Sequence, residues 1–449
     1  MIYKILVLTV LVLAACTSHA VSLAQSPPSK KKKIKDFGSS LKRLKWNPEK
    51  NTGTGFGDGA TTELNEGDVI KIDTSLVSSE LLVLDKSGNA ITGLKAEDFS
   101  ISEDGTPQTV GHFFHGDNAN VARSIVLIID YSGSQLGYLN NSVAAAKVLV
   151  DKLGPKDRMA VVTDDVEMLV DFTNDKNKLK SELDQLLERT KLKKGILGFG
   201  RGKLRIGRSM QYSALMATLN EAFDAEDVRP IIIFQTDGDE ALFLRNTTVK
   251  MTPPVGLHGE ELAIAQRSFQ FHQSELLKNV TEFSLDDIYR AVERSRATIY
   301  TVIPSPKLIG LSVAEQAKKI RADRQAAKAG ILATIPADER SKVQARIERD
   351  EKNLSEEYDR WRAELTLSMQ SALAAVAPLT GGWTEFLENP DQADQIYARI
   401  FSDINQRYIV GYYPTNKERD GKRRKIDFEV KGHPDYQIFG RRSYVAPKP

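Results

Sequence analysis

Cysteine is almost absent from this chain: Cys16 is the only one in 449 residues. No intrachain disulfide framework and no cysteine metal cage can be built from it. Histidine is scarce too, with six residues, none placed with a cysteine or paired carboxylate at ligand spacing, which excludes the common zinc patterns. His112 and His115 are three apart on a strand-like run and so face opposite sides of it. A formal net charge of +2 gives no global field for nucleic acid, and no nucleic-acid partner is expected. After the first segment no apolar run is long enough to span a bilayer. Gly198-Phe199-Gly200-Arg201-Gly202-Lys203 is glycine-rich, but it follows no strand and fits neither nucleotide fingerprint. No serine comes with a histidine motif that would make it a nucleophile, so neither catalysis nor a small-molecule substrate is expected.

What is present describes an exported globular protein. The hydrophobic fraction of 41% and the charged fraction of 27% are those of a folded soluble chain, and the length suggests about two to three domains. Lys4 precedes a largely apolar run, Ile5 to Ala15, too short for a stable membrane helix and built like a secretory signal. That run ends in Leu13-Ala14-Ala15-Cys16, which resembles a bacterial lipobox and implies lipidation at Cys16. Ser18-His19-Ala20 and Ser22-Leu23-Ala24 offer ordinary cleavage sites instead. Residues 1–25 are therefore expected to be a signal peptide. The protein is expected to be lipid-anchored in the cell envelope, at the periplasm or outer membrane, or alternatively secreted. Residues 26–60, with Lys30 to Lys33, Lys35, Lys42, Arg43 and Lys45, bury too little apolar surface to order themselves. They are expected to form a disordered basic tether, with contact to anionic headgroups as a further role.

Residues 61–118 read as a small β domain. Val69 to Ile72 and Leu81 to Leu84 are strand-like, and Lys86-Ser87-Gly88-Asn89 and Asp104-Gly105 are turn signals. From 119 to 410 strand and helix alternate. Ser124 to Ile129 is a continuous apolar strand of the kind buried on both faces. Further strands fall at Met159 to Thr163, Pro230 to Gln235, Thr298 to Ile303 and Gly382 to Phe386, with Glu167 to Phe172 as an antiparallel edge. The helix before the strand at Pro230 is expected over Ser213 to Ala225. The pattern predicts a doubly wound, Rossmann-like α/β sheet. Two interruptions are expected: a long connection over 239–283, and a charged helical hairpin over 312–372, split at Pro336, whose apolar side must pack somewhere. Residues 411–449 are predicted strands that join the N-terminal β domain or extend the main sheet.

The strongest chemical signal is Asp130-Tyr131-Ser132-Gly133-Ser134, directly after the first buried strand. In a doubly wound sheet that loop lies at the carboxyl end of a central strand, where ligands bind. It supplies a carboxylate and two hydroxyls in one turn, all hard oxygen donors of the type Mg²⁺ prefers. Thr236-Asp237-Gly238-Asp239 follows a neighbouring parallel strand, so Asp237 can approach Asp130. Ser213 offers a third oxygen source. Two carboxylates leave a bound cation short of charge and able to accept an acidic side chain from a partner.

This DxSxS arrangement with a further Asp and hydroxyl resembles the metal-ion-dependent adhesion site of von Willebrand factor A domains. The resemblance covers about residues 120–305 and 373–410. It implies metal ligation by Asp130, Ser132, Ser134, Ser213 and Asp237, a bound Mg²⁺ (or Mn²⁺ or Ca²⁺), and a protein ligand that supplies an acidic residue. The departure is Ser213, where that family usually has Thr; Ser209 and Thr218 are alternative matches. The stretches 84–94, 98–108 and Gln406-Arg407-Tyr408-Ile409-Val410-Gly411-Tyr412-Tyr413-Pro414 resemble exported proteins of the acidobacterial von Willebrand factor A-related type. The implied function is metal-dependent protein binding on an envelope protein. A structural or assembly protein with a degenerate, metal-free site is the alternative. The basic loop from Lys191 to Arg208 leads into Ser213 and is expected to rim the metal and steer an acidic ligand.

Overall fold

The computed structural model describes residues 37–43, 76–117, 121–190, 209–224, 229–249, 256–335, 337–352 and 354–447. The expected signal peptide with Cys16, most of the basic tether, the strand at Val69 to Ile72, the loop 191–208 and Pro336 lie outside the described residues.

Four strands come first: β1 (Val77–Leu84), β2 (Phe99–Glu103), β3 (Thr106–Gln108) and β4 (Val110–His115). The α/β part follows with β5 (Arg123–Ile129), α1 (Leu139–Asp151), β6 (Arg158–Thr163), β7 (Met168–Thr173) and α2 (Lys176–Arg189). It continues through α3 (Gln211–Glu221), β8 (Arg229–Gln235), α4 (Gly259–Asn279), α5 (Leu285–Arg294) and β9 (Thr298–Ile303). Three helices are then inserted, α6 (Val313–Thr334), α7 (Ala337–Lys352) and α8 (Glu356–Ala374). After them come β10 (Thr384–Phe386), α9 (Ala393–Gln406), β11 (Tyr408–Tyr412), β12 (Arg423–Val430), β13 (Gln437–Phe439) and β14 (Ser443–Val445).

The main sheet has the order β10-β9-β8-β5-β6-β7. Its strands are parallel except β7, which runs antiparallel at the edge. This is the doubly wound α/β fold that the alternation predicts. Every residue of β8 and β9 is buried, as a sheet covered on both faces requires. The period of two splits β5 between two cores: Val126 and Ile128 join one with Ile232 and Phe234, while Ile125, Leu127 and Ile129 join the other with Ile231 and Ile233.

The remaining strands form a sandwich of two sheets, β13-β1-β11-β4 and β14-β12-β2-β3. Leu81, Val83, Phe99, Ile101, Tyr408, Tyr412 and Phe428 fill it. Of the two places open to the C-terminal strands, they take the N-terminal one: β11 pairs antiparallel with β1, setting Val77 opposite Tyr412, and β12 pairs with β2.

Two expectations about the interruptions and one about the tether are corrected. The stretch 239–283 is no plain connection, since it carries α4, 21 residues long. The insertion is three helices rather than a hairpin. Its apolar side packs inward, with Trp361, Leu365, Met369 and Leu373 of α8 in the main core. At the root, Arg321 and Arg324 each hold the fully buried Asp359 at 2.6 Å. Finally, disorder does not extend to residues 37–43. Ser39–Arg43 form a 3₁₀ turn, Phe37 and Leu41 pack on the core, and Gly38 N and Ser40 N donate to Glu221 at the end of α3 at 2.8 and 2.7 Å.

Candidate functional site

The parallel strands end side by side, and their backbones keep the ladder for one residue more. Asp130 N donates to Gln235 O at 3.1 Å, Asp164 N to Ile129 O at 3.2 Å and Thr236 N to Val302 O at 3.1 Å. The side chains just beyond the strands therefore stand on one edge, as expected at the carboxyl end of such a sheet.

Asp130 is 3% exposed. Its Oδ1 accepts from Ser132 N at 2.9 Å and its Oδ2 from Thr236 Oγ1 at 2.8 Å. Ser132 opens a 3₁₀ turn at Gly133–Gln135, which brings Ser132 Oγ and Ser134 Oγ to 3.0 Å. After β8, Gly238 takes the left-handed conformation at φ 75°, where only glycine is free of strain. That bend returns Asp239 toward the same point: its Oδ2 lies 3.0 Å from Ser209 Oγ and 3.5 Å from Ser134 Oγ. Asp237 Oδ2 accepts from Gln135 Nε2 at 2.7 Å. Gln211, fully buried in the first turn of α3, donates through Nε2 to Asp130 Oδ2 at 2.9 Å and to Asp239 Oδ1 at 2.6 Å.

The fold thus brings together Asp130, Ser132, Ser134 and Asp237, but gives Ser213 another task. Ser213 N and Oγ donate to the two carboxylate oxygens of Glu240 at 2.9 and 2.5 Å. The hydroxyl that reaches the cluster from this side is Ser209, one of the alternatives. Thr218 is spent on its own helix, donating to Ala214 O. The reason is helical register: α3 starts at Gln211, two residues before the expected start, so Ser213 lies inside its first turn.

Sequence reasoning missed Asp239, Gln211 and Asp164. Asp239 carried a visible signal, as the second acid of Asp-Gly-Asp. Asp164, fully buried, accepts from Tyr131 N at 2.9 Å through Oδ1, while its Oδ2 has no partner among the described residues. Burial, then the neighbouring Asp130, pushes its carboxyl well above the usual range. Burial and the charges of Asp239 and Asp130 do the same to Asp237. Burial followed by Asp130 raises Asp239 to about 6. Desolvation disfavours the charged form and like charges add to it.

The donors fit a small hard cation by their chemistry: carboxylates of Asp130, Asp237 and Asp239 beside hydroxyls of Ser132, Ser134 and Ser209, all oxygen. Among the described residues, no group of three or more Asp, Glu, His or Cys side chains closes on one point by itself. The convergence belongs to carboxylate and hydroxyl together. With Asp239 the set holds three carboxylates, where two were expected. The two histidines of β4 go separate ways, His112 Nε2 to Tyr413 OH at 2.9 Å and His115 Nδ1 to Asp117 at 2.6 Å.

No protein-family model matches the chain, and no curated protein matches it. Among solved structures it is similar to the vWF domain of the type V pili tip protein Mfa5 from Porphyromonas gingivalis, at 14% identity over 64% of this chain and 95% of that one, with a TM-score of 0.31. It spans only 26% of a three-domain Mfa5 fragment, at 16% identity over 37% of this chain and a TM-score of 0.22. A von Willebrand factor type A protein from Catenulispora acidiphila matches at 10% identity over 84% of this chain and 75% of that one, TM-score 0.30. Manganese-loaded TRAP of Plasmodium vivax matches at 13% identity over 45% and 61%, TM-score 0.22. At such identities and scores the site stands on its own geometry, at the carboxyl edge of a doubly wound α/β sheet.

Proposed function

We propose that this chain is a metal-dependent binding protein of the bacterial envelope, with a von Willebrand factor A-type domain that holds Mg²⁺ or Mn²⁺ and uses it to grip a protein partner. One observation carries this reading: at the end of the central strands Ser134 and Ser209 lie beside Asp239, Ser132 beside Ser134, and buried glutamine amides tie Asp130 and Asp237 to the same edge. Asp130, Ser132, Ser134, Asp237 and Asp239 would hold the cation, with Ser209 in the place first assigned to Ser213. Three carboxylates can offset the charge of a bound divalent cation, so an oxygen ligand would enter through an open coordination position rather than be drawn by excess positive charge. Gly133 and Ser134 are exposed beside the cluster and give an acidic partner side chain its approach. We take the protein to be a non-enzyme, exported and anchored through Cys16 by the basic tether. Among the described residues no helix is long and apolar enough to cross a membrane.

The domain plan that goes with this is a signal peptide over 1–25, a tether over 26–60, a β domain over 61–118 completed by 411–449, and the α/β domain over 119–410 with its insertion at 312–372. A second reading, a structural protein with a metal-free site, is favoured by one feature. The amides of Gln135 and Gln211 already donate to the carboxylates. Titration of the full-length chain with Mn²⁺, followed by the loss of the free-ion spin-resonance signal, separates the two. Saturable binding lost in Ser209→Ala and retained in Ser213→Ala supports the metal site as drawn; no saturable binding supports the second reading.

A further inference from the structure

The side-chain amide of Gln211 does something the hydroxyls cannot. Its nitrogen carries two hydrogens, and each meets a different carboxylate, Asp130 Oδ2 at 2.9 Å and Asp239 Oδ1 at 2.6 Å. Its oxygen accepts from Glu240 N at 3.1 Å. That backbone donor fixes which end of the amide faces the acids, because a reversed amide would set an NH₂ against an N–H. The residue is wholly buried, so the three bonds form in a low-dielectric setting where they are strong and their loss is costly.

The choice of oxygens matters most. On Asp239 the amide holds Oδ1, while Oδ2 is the atom that faces Ser209 Oγ and Ser134 Oγ. On Asp130 it shares Oδ2 with Thr236 Oγ1, while Oδ1 is held by Ser132 N. On Asp239 the amide therefore leaves the hydroxyl-facing oxygen open. We propose that Gln211 is a positioning residue for the cation site: it bridges Asp130 and Asp239, offsets part of their repulsion without adding charge, and aims Asp239 Oδ2 at the serine hydroxyls. This rests on the metal-binding reading above. Because the amide holds the Asp239 oxygen turned away from the hydroxyls, that bond persists when Oδ2 is filled. Without it, the two carboxylates swing apart or take up protons, and the cation must pull them back. Groups that orient metal ligands in this way typically contribute about 10- to 100-fold in affinity.

The test is Mn²⁺ binding to the full-length chain, read from the free-ion spin-resonance signal, for wild type, Gln211→Met, Asp239→Asn and the double variant. Methionine keeps the volume and unbranched shape but donates nothing. Asp239→Asn relieves repulsion and should fold without difficulty. Gln211→Met is expected to weaken binding about 10- to 100-fold, and the double variant to lose less than the sum of the two single losses, since part of the effect of Gln211 passes through Asp239. A second readout needs no variant: the Gln211 amide protons, followed by nuclear magnetic resonance, should exchange slowly with solvent and stay protected as Mg²⁺ saturates the protein. Unchanged affinity in Gln211→Met, additive effects in the double variant, or release of those protons on Mg²⁺ binding would overturn the assignment while leaving the metal site intact. Absence of any saturable Mn²⁺ in the wild type would overturn both.

Discussion

Glu240 shows how far one side chain can redirect a site. It is 2% exposed, and burial, opposed by hydrogen bonds from Ser213, raises its carboxyl from about 4.5 to about 7. A carboxyl raised on folding favours the protonated folded state. Its contribution is complete below pH 4.5 and is lost as pH rises through 7. Without metal, the melting temperature should fall between pH 5 and 8. Glu240 accounts for about 3 kcal/mol of this at most, at 1.36 kcal/mol per pH unit, and Glu240→Gln should flatten the profile. A profile equally steep in the variant would assign the fall to Asp237 and Asp239 instead. Ser213→Ala should cost about 1–2 kcal/mol by leaving Glu240 short of donors, measured by denaturant unfolding. Asp130, Ser132 and Ser134 were legible in sequence because they share one turn after one buried strand. Ser213 was not, because no side-chain cap marks where α3 begins: Met210 stands at the N-cap with no side-chain bond, so the usual start signal is missing.

At the scale of elements, the α/β strands were readable because burial on both faces writes continuous apolar runs. Helix α4 was not, since its sequence, Gly259 to Asn279, has a weak apolar stripe and no capping side chain at His258. The inserted helices illustrate the opposite case. Ser312 caps α6, its Oγ accepting from Glu315 N while Glu315 Oε2 accepts from Ser312 N at 2.9 Å, and that box is visible in the sequence. What the sequence hides is where the arm attaches. Tyr138, four residues beyond Ser134, donates to Asp323 of α6, so the arm meets the helix side of the loop that carries Asp130, Ser132 and Ser134. The arm's footing is Asp359 between Arg321 and Arg324. Asp359→Ala removes the shared acceptor of two arginines that keep part of their side chains in solvent, so the loss should be about 1–2 kcal/mol. Proteolysis should then cut within 313–374 faster than in wild type while the α/β core stays protected. Equal cutting rates would show that apolar packing of α8 alone holds the arm.

At the scale of the whole molecule, sandwich and α/β part are joined by buried charge. Arg229, at the start of β8 and 1% exposed, donates to Glu80 Oε1 at 2.9 Å, Gly116 O at 2.9 Å and Ile404 O at 3.0 Å. Arg407 holds Asp403 at 2.8 Å and reaches Glu80 O at 3.2 Å. Gly116 must be glycine, because a Cβ there would lie 2.5 Å from Ile404 O. Burial raises the Glu80 carboxyl, but the charge and hydrogen bonds of Arg229 outweigh this and hold it below the ordinary value. A depressed carboxylate contributes stability above its unfolded value of about 4.5, lost as pH falls further. Glu80→Gln should cost about 3 kcal/mol by stranding Arg229 and flatten the acid limb of the stability profile; a loss under about 1 kcal/mol would show that the carbonyl bonds suffice. None of this was legible, because Glu80, Arg229 and Arg407 are far apart in sequence and each reads as an ordinary surface charge.

The central claim is that the cluster at the strand ends binds a divalent cation. It is tested most directly by thermal unfolding of the full-length chain in EDTA, Mg²⁺ and Mn²⁺, beside Asp130→Ala. A ligand bound only by the folded state adds about 2.7 kcal/mol at a hundred times its dissociation constant. The account predicts a rise in melting temperature with Mg²⁺ or Mn²⁺ that is absent in Asp130→Ala. An unchanged melting temperature in the wild type, at millimolar metal, would contradict it.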